Sequence, residues 1–259
     1  MTKFLLAICV ALMAACASAP VVPVQDIAPK GELRVAVGVG PSASAFWATR
    51  DASGNLKGVT VDLGRAAAEK LGVPLKLVEY RNAGEITAAA SKDAWDLTFM
   101  PHEAEREKLM DHGPAYVSYD SAYIVRAGLD VASAAELDRA GTRVGAIEGT
   151  STSRTAARSL KNTSVTLFAK ADDAVAQLAD RRVDALAMGR EALVDITRKV
   201  PGTRILPDVI QTTGVVVVVP LNRPAARAWA ARFIETAKAD GTVRSALDRA
   251  GFANAVVAR

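Results

Sequence analysis

Residues 60–79 read TVDLGRAAAEKLGVPLKLVE. Leu63, Ala66, Ala67 and Leu71 fall on one face at helical spacing, so Thr60 to Leu71 is expected to form an amphipathic helix. Gly72-Val73-Pro74 ends it, because glycine accepts the left-handed exit from a helix and proline cannot continue one. Leu75 to Glu79 then reads as a strand. A helix that turns at once into a strand is the repeating unit of an α/β protein.

The same alternation extends in both directions. Glu32–Val37, Asp96–Phe99, Thr142–Ile147, Val165–Phe168 and Val183–Ala187 read as strands. Between them, helices are expected at Gly84–Ser91, Glu103–Leu109, Ser153–Leu160 and Asp172–Ala179. Strands that alternate with helices argue for parallel sheets covered on both faces. Near the end a longer strand, Thr212–Val219, precedes a helix with Ala226, Trp229, Phe233 and Ala237 on its buried stripe. Val243, Leu247 and Ala250 mark a last helix. There are no internal repeats and no low-complexity linker, so two lobes would have to be joined by ordered crossings.

Residues 1–19 read as a signal peptide. Lys3 precedes an apolar run from Phe4 to Ala15 that is too short to span a bilayer, and small residues follow. Leu12-Met13-Ala14-Ala15-Cys16 also resembles a lipobox. Cys16 is thus either a small apolar residue in a discarded leader or a site of lipid attachment. Both readings place the protein outside the cytoplasm, in the periplasm. Cys9 and Cys16 are the only cysteines, so the remaining chain of about 240 residues has no disulfide.

Half the chain is apolar and only 5% is aromatic, so its core must be mainly Ala, Val and Leu. The formal charge is +4, but Lys and Arg are scattered among Asp and Glu. A nucleic-acid groove would cluster basic residues with aromatics, which excludes that partner class here. Two histidines, His102 and His112, with no cysteine nearby, do not suggest a metal site, and nothing suggests a cofactor.

Seven short motifs occur in order: Gly31-Glu32-Leu33-Arg34-Val35; Gly54-Asn55-Leu56-Lys57-Gly58 leading to Asp62-Leu63; Ala94-Trp95-Asp96-Leu97; Glu105-Arg106 with Tyr116; Arg143-Val144-Gly145 through Gly149-Thr150; Arg182-Val183-Asp184-Ala185; and Asp240-Gly241-Thr242. Together they resemble the bacterial extracellular solute-binding proteins of family 3 that serve amino acid ABC transporters, with the type II periplasmic binding fold. The resemblance implies one lobe from residues 30–118 plus 217–259 and another from 124–211. Crossings would lie at Ser118–Tyr123 and Gln211–Gly214, with ligand in the cleft between the lobes. It also implies a monomer that delivers its ligand to a membrane ABC permease and performs no catalysis. Two other readings stay open: a dehydratase-like enzyme on the same scaffold, and the ligand-binding component of a sensor.

Arg106 sits where the family grips a ligand carboxylate. A guanidinium offers two parallel donors and stays charged when desolvated. The plainer alternative is a helix arginine paired with Glu103 or Glu105. Thr150 and Ser151 precede a helix whose free N–H groups could take an anion; equally, Ser151 or Thr152 could simply cap it. Phe46 and Trp47 are expected either to form an apolar wall for the ligand or to anchor the core. Phe99 and Met100 stand where the family has a hydroxyl-rich turn, making that wall more apolar. Gly189 replaces the aspartate that holds an α-ammonium in the amino-acid binders. Either Glu191 takes over that role or the ligand has no ammonium.

Overall fold

The computed structural model describes residues 24–39 and 44–259, so the signal-peptide and Cys16 readings lie outside the described residues. A short helix α1 (Val24–Ile27) leads into β1 (Leu33–Gly38), a two-stranded hairpin of β2 (Thr49–Arg50) and β3 (Leu56–Lys57), then α2 (Val59–Leu71), β4 (Leu75–Tyr80), α3 (Ala83–Ala88) and β5 (Leu97–Pro101). The long β6 (Met110–Val125) follows, then α4 (Ala134–Leu137), β7 (Val144–Ile147), α5 (Ser151–Ser159), β8 (Val165–Phe168), α6 (Ala171–Ala179), β9 (Ala185–Gly189) and α7 (Arg190–Lys199). The chain closes with β10 (Arg204–Ile205), β11 (Gln211–Pro220), α8 (Pro224–Ala239) and α9 (Thr242–Arg249). No described helix is long and apolar enough to cross a membrane.

The main sheet runs β4-β1-β5-β11-β6-β9-β7-β8, with β10 beside β6. At one end β4, β1 and β5 are mutually parallel; at the other β9, β7 and β8 are. Between them β6 and β11 pair antiparallel, and β11 and β6 join the two ends through antiparallel contacts with β5 and β9. The crossings are therefore strand segments: Ser118, Tyr119, Asp120 and Ser121 pair with Gly214, Thr213, Thr212 and Gln211.

Each end has its own core on both faces of the sheet. Leu33, Val35 and Leu97 meet Leu63, Phe233 and Leu247 on one face of the first half, and Trp95, Ile86, Met100 and Met110 fill the other. In the second half Ile124, Leu178, Leu186 and Leu193 form one cluster, and Tyr123, Val144, Ala156 and Leu206 the other. The first half thus draws on the chain up to Tyr119 and again from Val215, whereas the second half lies between Ala122 and Leu206.

The helix expected over Gly84–Ser91 ends at Ala88 and the strand expected from Thr142 begins at Val144, and three further expectations need correction. The helix expected over Glu103–Leu109 is a single 3₁₀ turn, Arg106–Lys108. The chain stays extended through His102, whose N–H donates to the Gly214 carbonyl at 2.8 Å and whose own carbonyl accepts from Thr213 Oγ1 at 3.1 Å, and it is extended again from Met110, where β6 starts. The strand expected from Val183 begins at Ala185, because Asp184 is held by Arg126 and Arg143. The cap of α5 is Thr150, one residue before those expected.

Candidate ligand-binding site

In open α/β sheets ligands collect at the carboxyl ends of parallel strands. Here two such sets of ends face one cavity of about 130 Å³: Val37 and Gly38 from β1, Phe99 to Pro101 from β5, Ile147 from β7 and Ala187 to Gly189 from β9. Trp47, Ile86, Met188 and Ala192 make further apolar wall, while Ser44, Thr60, Arg106, Ser151 and Thr152 supply polar groups.

Arg106 is anchored by the 3₁₀ turn and only 3% exposed. Its Nη1 donates to the Pro101 carbonyl at 3.3 Å and its Nη2 to the Gly149 carbonyl, across the cleft, at 2.9 Å. Glu103 lies 3.2 Å from Nε, but the Nε hydrogen is not aimed at an acceptor, so this contact is a charge pairing rather than a hydrogen bond. Burial pushes the Arg106 pKa down to about 10, against the pull of Glu103, which leaves the side chain charged at neutral pH. Both the plainer alternative and the cavity location hold: Arg106 pairs with Glu103 and also reaches the cavity wall.

On the facing side, the Thr150 hydroxyl accepts from the Ser153 N–H and donates to the Ile147 carbonyl at 2.8 Å, so it is committed to the cap. What α5 offers a ligand is therefore the N–H groups of Ser151 and Thr152, which have no intrahelical acceptor. Ser151 Oγ accepts from Gln211 Nε2 at 3.1 Å, and Thr152 shares a 2.8 Å hydrogen bond with Ser121, tying this helix start to both crossing strands.

Phe46 is fully buried and lies outside the cavity lining, in the first-half core; its neighbour Trp47 reaches the cavity. Both rings pack against Tyr119, with centroids 5.2 Å from it. Tyr119 is one of the lining residues that the motif reading missed, as are Ser44, Thr60, Arg81 and Asn82. It lines the cavity from the crossing strand, and its hydroxyl fills the space beside Gly189 so closely that a Cβ there would lie 1.6 Å from it. Burial pushes its ionisation well above the ordinary tyrosine range. The only signal in the sequence was the pairing of a missing side chain at Gly189 with a large one on the crossing strand, a match that only the β6–β9 register reveals.

Glu191 stands in the first turn of α7 and does not line the cavity, although Gly189 and Ala192 do. Its Oε2 is buried without a hydrogen-bond partner, and burial, with the charge of Asp120 adding to it, pushes its pKa up to about 7.

The halves meet across the cleft at several points. Arg154 Nε donates to Glu103 at 2.6 Å, and a second guanidinium nitrogen pairs with the other Glu103 oxygen. Asn82 Nδ2 donates to the Ala169 carbonyl at 3.0 Å. Gly84 and Gly149 approach backbone to backbone: a Cβ on either would lie within 2.8 Å of the other's Cα. Gly149 also has φ +69°, which a side chain would strain. Contacts between the two halves thus bridge the cleft beside the cavity.

Solved structures share this architecture. The solute receptor for L-cysteine of Neisseria gonorrhoeae superposes with a TM-score of 0.80 at 19% identity, covering 88% of this chain and 93% of that one. A mutant of ArgBP from T. maritima gives 0.78 at 21% identity, covering 87% and 97%. The ancestral amino acid-binding protein AncCDT-1, a precursor of cyclohexadienyl dehydratase, gives 0.77 at 20% identity, covering 87% and 98%. No curated protein matches the sequence. The family model of the bacterial extracellular solute-binding proteins, family 3, matches residues 35–251, and the chain belongs to that family.

Proposed function

We propose that this protein captures a small carboxylate that lacks an α-ammonium, in the periplasm, and delivers it to a membrane ABC permease. Its lobes, residues 30–118 plus 217–259 and 124–211, close about the paired crossing strands, a motion known for periplasmic binding proteins. In this reading the protein acts as a monomer and does no chemistry on its ligand. The carboxylate lies between the Arg106 guanidinium and the first-turn N–H groups of α5, exchanging for the Gly149 and Pro101 carbonyls that Arg106 now holds. An apolar cavity of about 150 Å³ holds benzene, so one of about 130 Å³ suits a ligand of comparable bulk.

The observation that carries the reading is Tyr119 against Gly189. Among the structural neighbours are receptors for amino acids. At the position where the resemblance puts an aspartate for the ammonium, this cavity has a neutral phenol, and no Asp or Glu among the described residues, Glu191 included, lines it. An ammonium enclosed there would lose its hydration without gaining a counter-charge.

Matched ligands test this directly. A 2-oxo or 2-hydroxy acid should bind at least about tenfold more tightly than the amino acid of the same skeleton, by calorimetry. If amino acids bind more tightly across the pairs, the ammonium has found an acid and the organic-acid reading fails. Catalysis of the dehydratase kind is the second reading, favoured by one observation: a carboxyl at Glu191 that titrates near neutrality beside the site. It requires product formation from a bound acid, visible by NMR, and loss of that product in Glu191→Gln.

A further inference from the structure

We propose that His102, Glu107 and His112 form a binding site for one divalent transition-metal ion, zinc in the first instance, on the outside of the first half. Ten residues apart, the two histidines have no recognisable ligand spacing in the sequence. The fold brings them together: His102 follows β5, His112 lies in β6, and Glu107 is in the 3₁₀ turn between them.

One ligand atom from each residue falls within 4.8 Å of the other two. His102 Nε2 is 2.9 Å from Glu107 Oε1, and His112 Nδ1 is 3.9 Å from the same oxygen. Tetrahedral zinc with bonds of about 2.0–2.1 Å needs neighbouring ligand atoms about 3.3–3.4 Å apart. Opening one of these gaps and closing the other by roughly half an ångström, and drawing the two imidazoles together from within 4.8 Å, meets that requirement by side-chain rotation. Two imidazoles and a carboxylate are a sufficient zinc donor set, with a fourth position left for water.

His112 provides the independent sign of a ligand. Its side chain is only 4% exposed, yet neither ring nitrogen has a hydrogen-bond partner. Buried polar atoms are nearly always satisfied, and an ion held jointly with His102 and Glu107 would satisfy this ring. The scaffold is firm: His102 is held by its backbone bonds to β11, and His112 pairs with Val218. Glu107 and the nearby Asp111 favour a cation there, while Arg106 opposes it. Because Arg106 and Glu107 share one turn, an ion on Glu107 would also brace the residue that faces the ligand cavity.

The test uses the whole chain without an affinity tag, treated with EDTA and dialysed. Titration with zinc chloride by calorimetry should show a 1:1 complex with Kd about micromolar or tighter, and cobalt(II) should give visible d–d bands without thiolate charge-transfer bands. His102→Ala and Glu107→Gln, both at exposed side chains whose loss leaves no buried gap, should each weaken binding at least about tenfold. A Kd weaker than about 1 mM, affinity unchanged in both variants, or a thiolate band assigning the metal to Cys9 or Cys16, overturns the proposal.

Discussion

Both ends of the sheet are tied by the same device, and they use it differently. In the first half Asp96 accepts from the Arg34 backbone N–H at 3.1 Å and from its Nε and Nη2 at 2.9 Å each. In the second, Asp184 accepts from the Arg143 N–H at 2.9 Å and from its Nε and Nη2 at 3.0 Å each. Each arginine stands at the start of the middle strand of its parallel trio, and each aspartate immediately before or at the start of the strand beside it. A second arginine completes each group, Arg223 on Asp96 at 2.9 Å and Arg126 on Asp184 at 2.7 Å. The environments part company there. The Asp96 side chain is fully buried against Arg34, 8% exposed, and Arg223 also ties the start of α8 to the Ile27 carbonyl. Arg143, by contrast, is half-exposed. The motif aspartates therefore join strands in both halves and do not line the cavity, and only the first pair closes an interior.

The comparison is open to direct attack. Asp96→Ala leaves two arginines facing a buried gap and should cost about 3–5 kcal/mol in urea unfolding. Asp184→Ala should cost about 1–2 kcal/mol, since water can replace its partner at half-exposed Arg143. Equal losses would mean that burial does not distinguish the two groups. The second pair has a pH signature as well. The hydrogen bonds from Arg143 hold the Asp184 pKa at about 2, below its ordinary 3.8. Its contribution is full above about pH 4 and fades as pH falls towards 2, and Asp184→Asn should flatten that part of the stability curve.

The halves also differ in what they bring to the cavity: a fixed cation from the first, backbone N–H groups from the second. Arg106→Ala should therefore lower affinity for a carboxylate by about 2–5 kcal/mol, roughly 30- to several-thousand-fold, while the protein still folds. A loss under about threefold by calorimetry would move the carboxylate away from the first half.

A smaller effect is expected at Glu191, a partly buried acid of the second half. Its pKa is raised to about 7 from 4.5, so its stability contribution is greatest below pH 4.5 and is lost as pH rises through 7. Asp120 reinforces this and Arg190 opposes it. Glu191→Gln should raise stability by about 1–3 kcal/mol at pH 8 and leave it nearly unchanged at pH 4, as measured by chemical denaturation.

The smallest is at the meeting point of the halves. Gly84→Ala places a methyl 2.8 Å from the Gly149 Cα without straining its own backbone. Thermal stability should hold, ligand affinity should fall about tenfold, and solution scattering should show a more open average shape. Unchanged affinity would mean that closure does not require the two backbones to touch.

Much of the architecture could be read from local pattern. The periodicity of Leu63, Ala67 and Leu71, and the stop at Gly72-Val73-Pro74, identified α2 to within a residue, because helix face and helix end are local chemistry. The strand at Val165–Phe168 was placed to the residue. The segment from Glu103 to Leu109 failed, because His102 just before it is held to β11, more than a hundred residues away. In the site, Trp47, Phe99, Met100, Arg106, Thr150 and Ser151 were identified from motif position and do line the cavity, whereas Phe46 and Glu191 do not.

The amino-acid sequence by itself determined the alternating α/β class, the family and the arginine at the cleft, since periodicity, turn residues and ordered motifs are properties of neighbours in the chain. Tertiary structure alone decided that Tyr119 fills the place beside Gly189, that the Thr150 hydroxyl is committed to its helix, and that His102 and His112 converge on Glu107. Those outcomes depend on strand register, and a register is set by the pairing of segments that the sequence holds far apart.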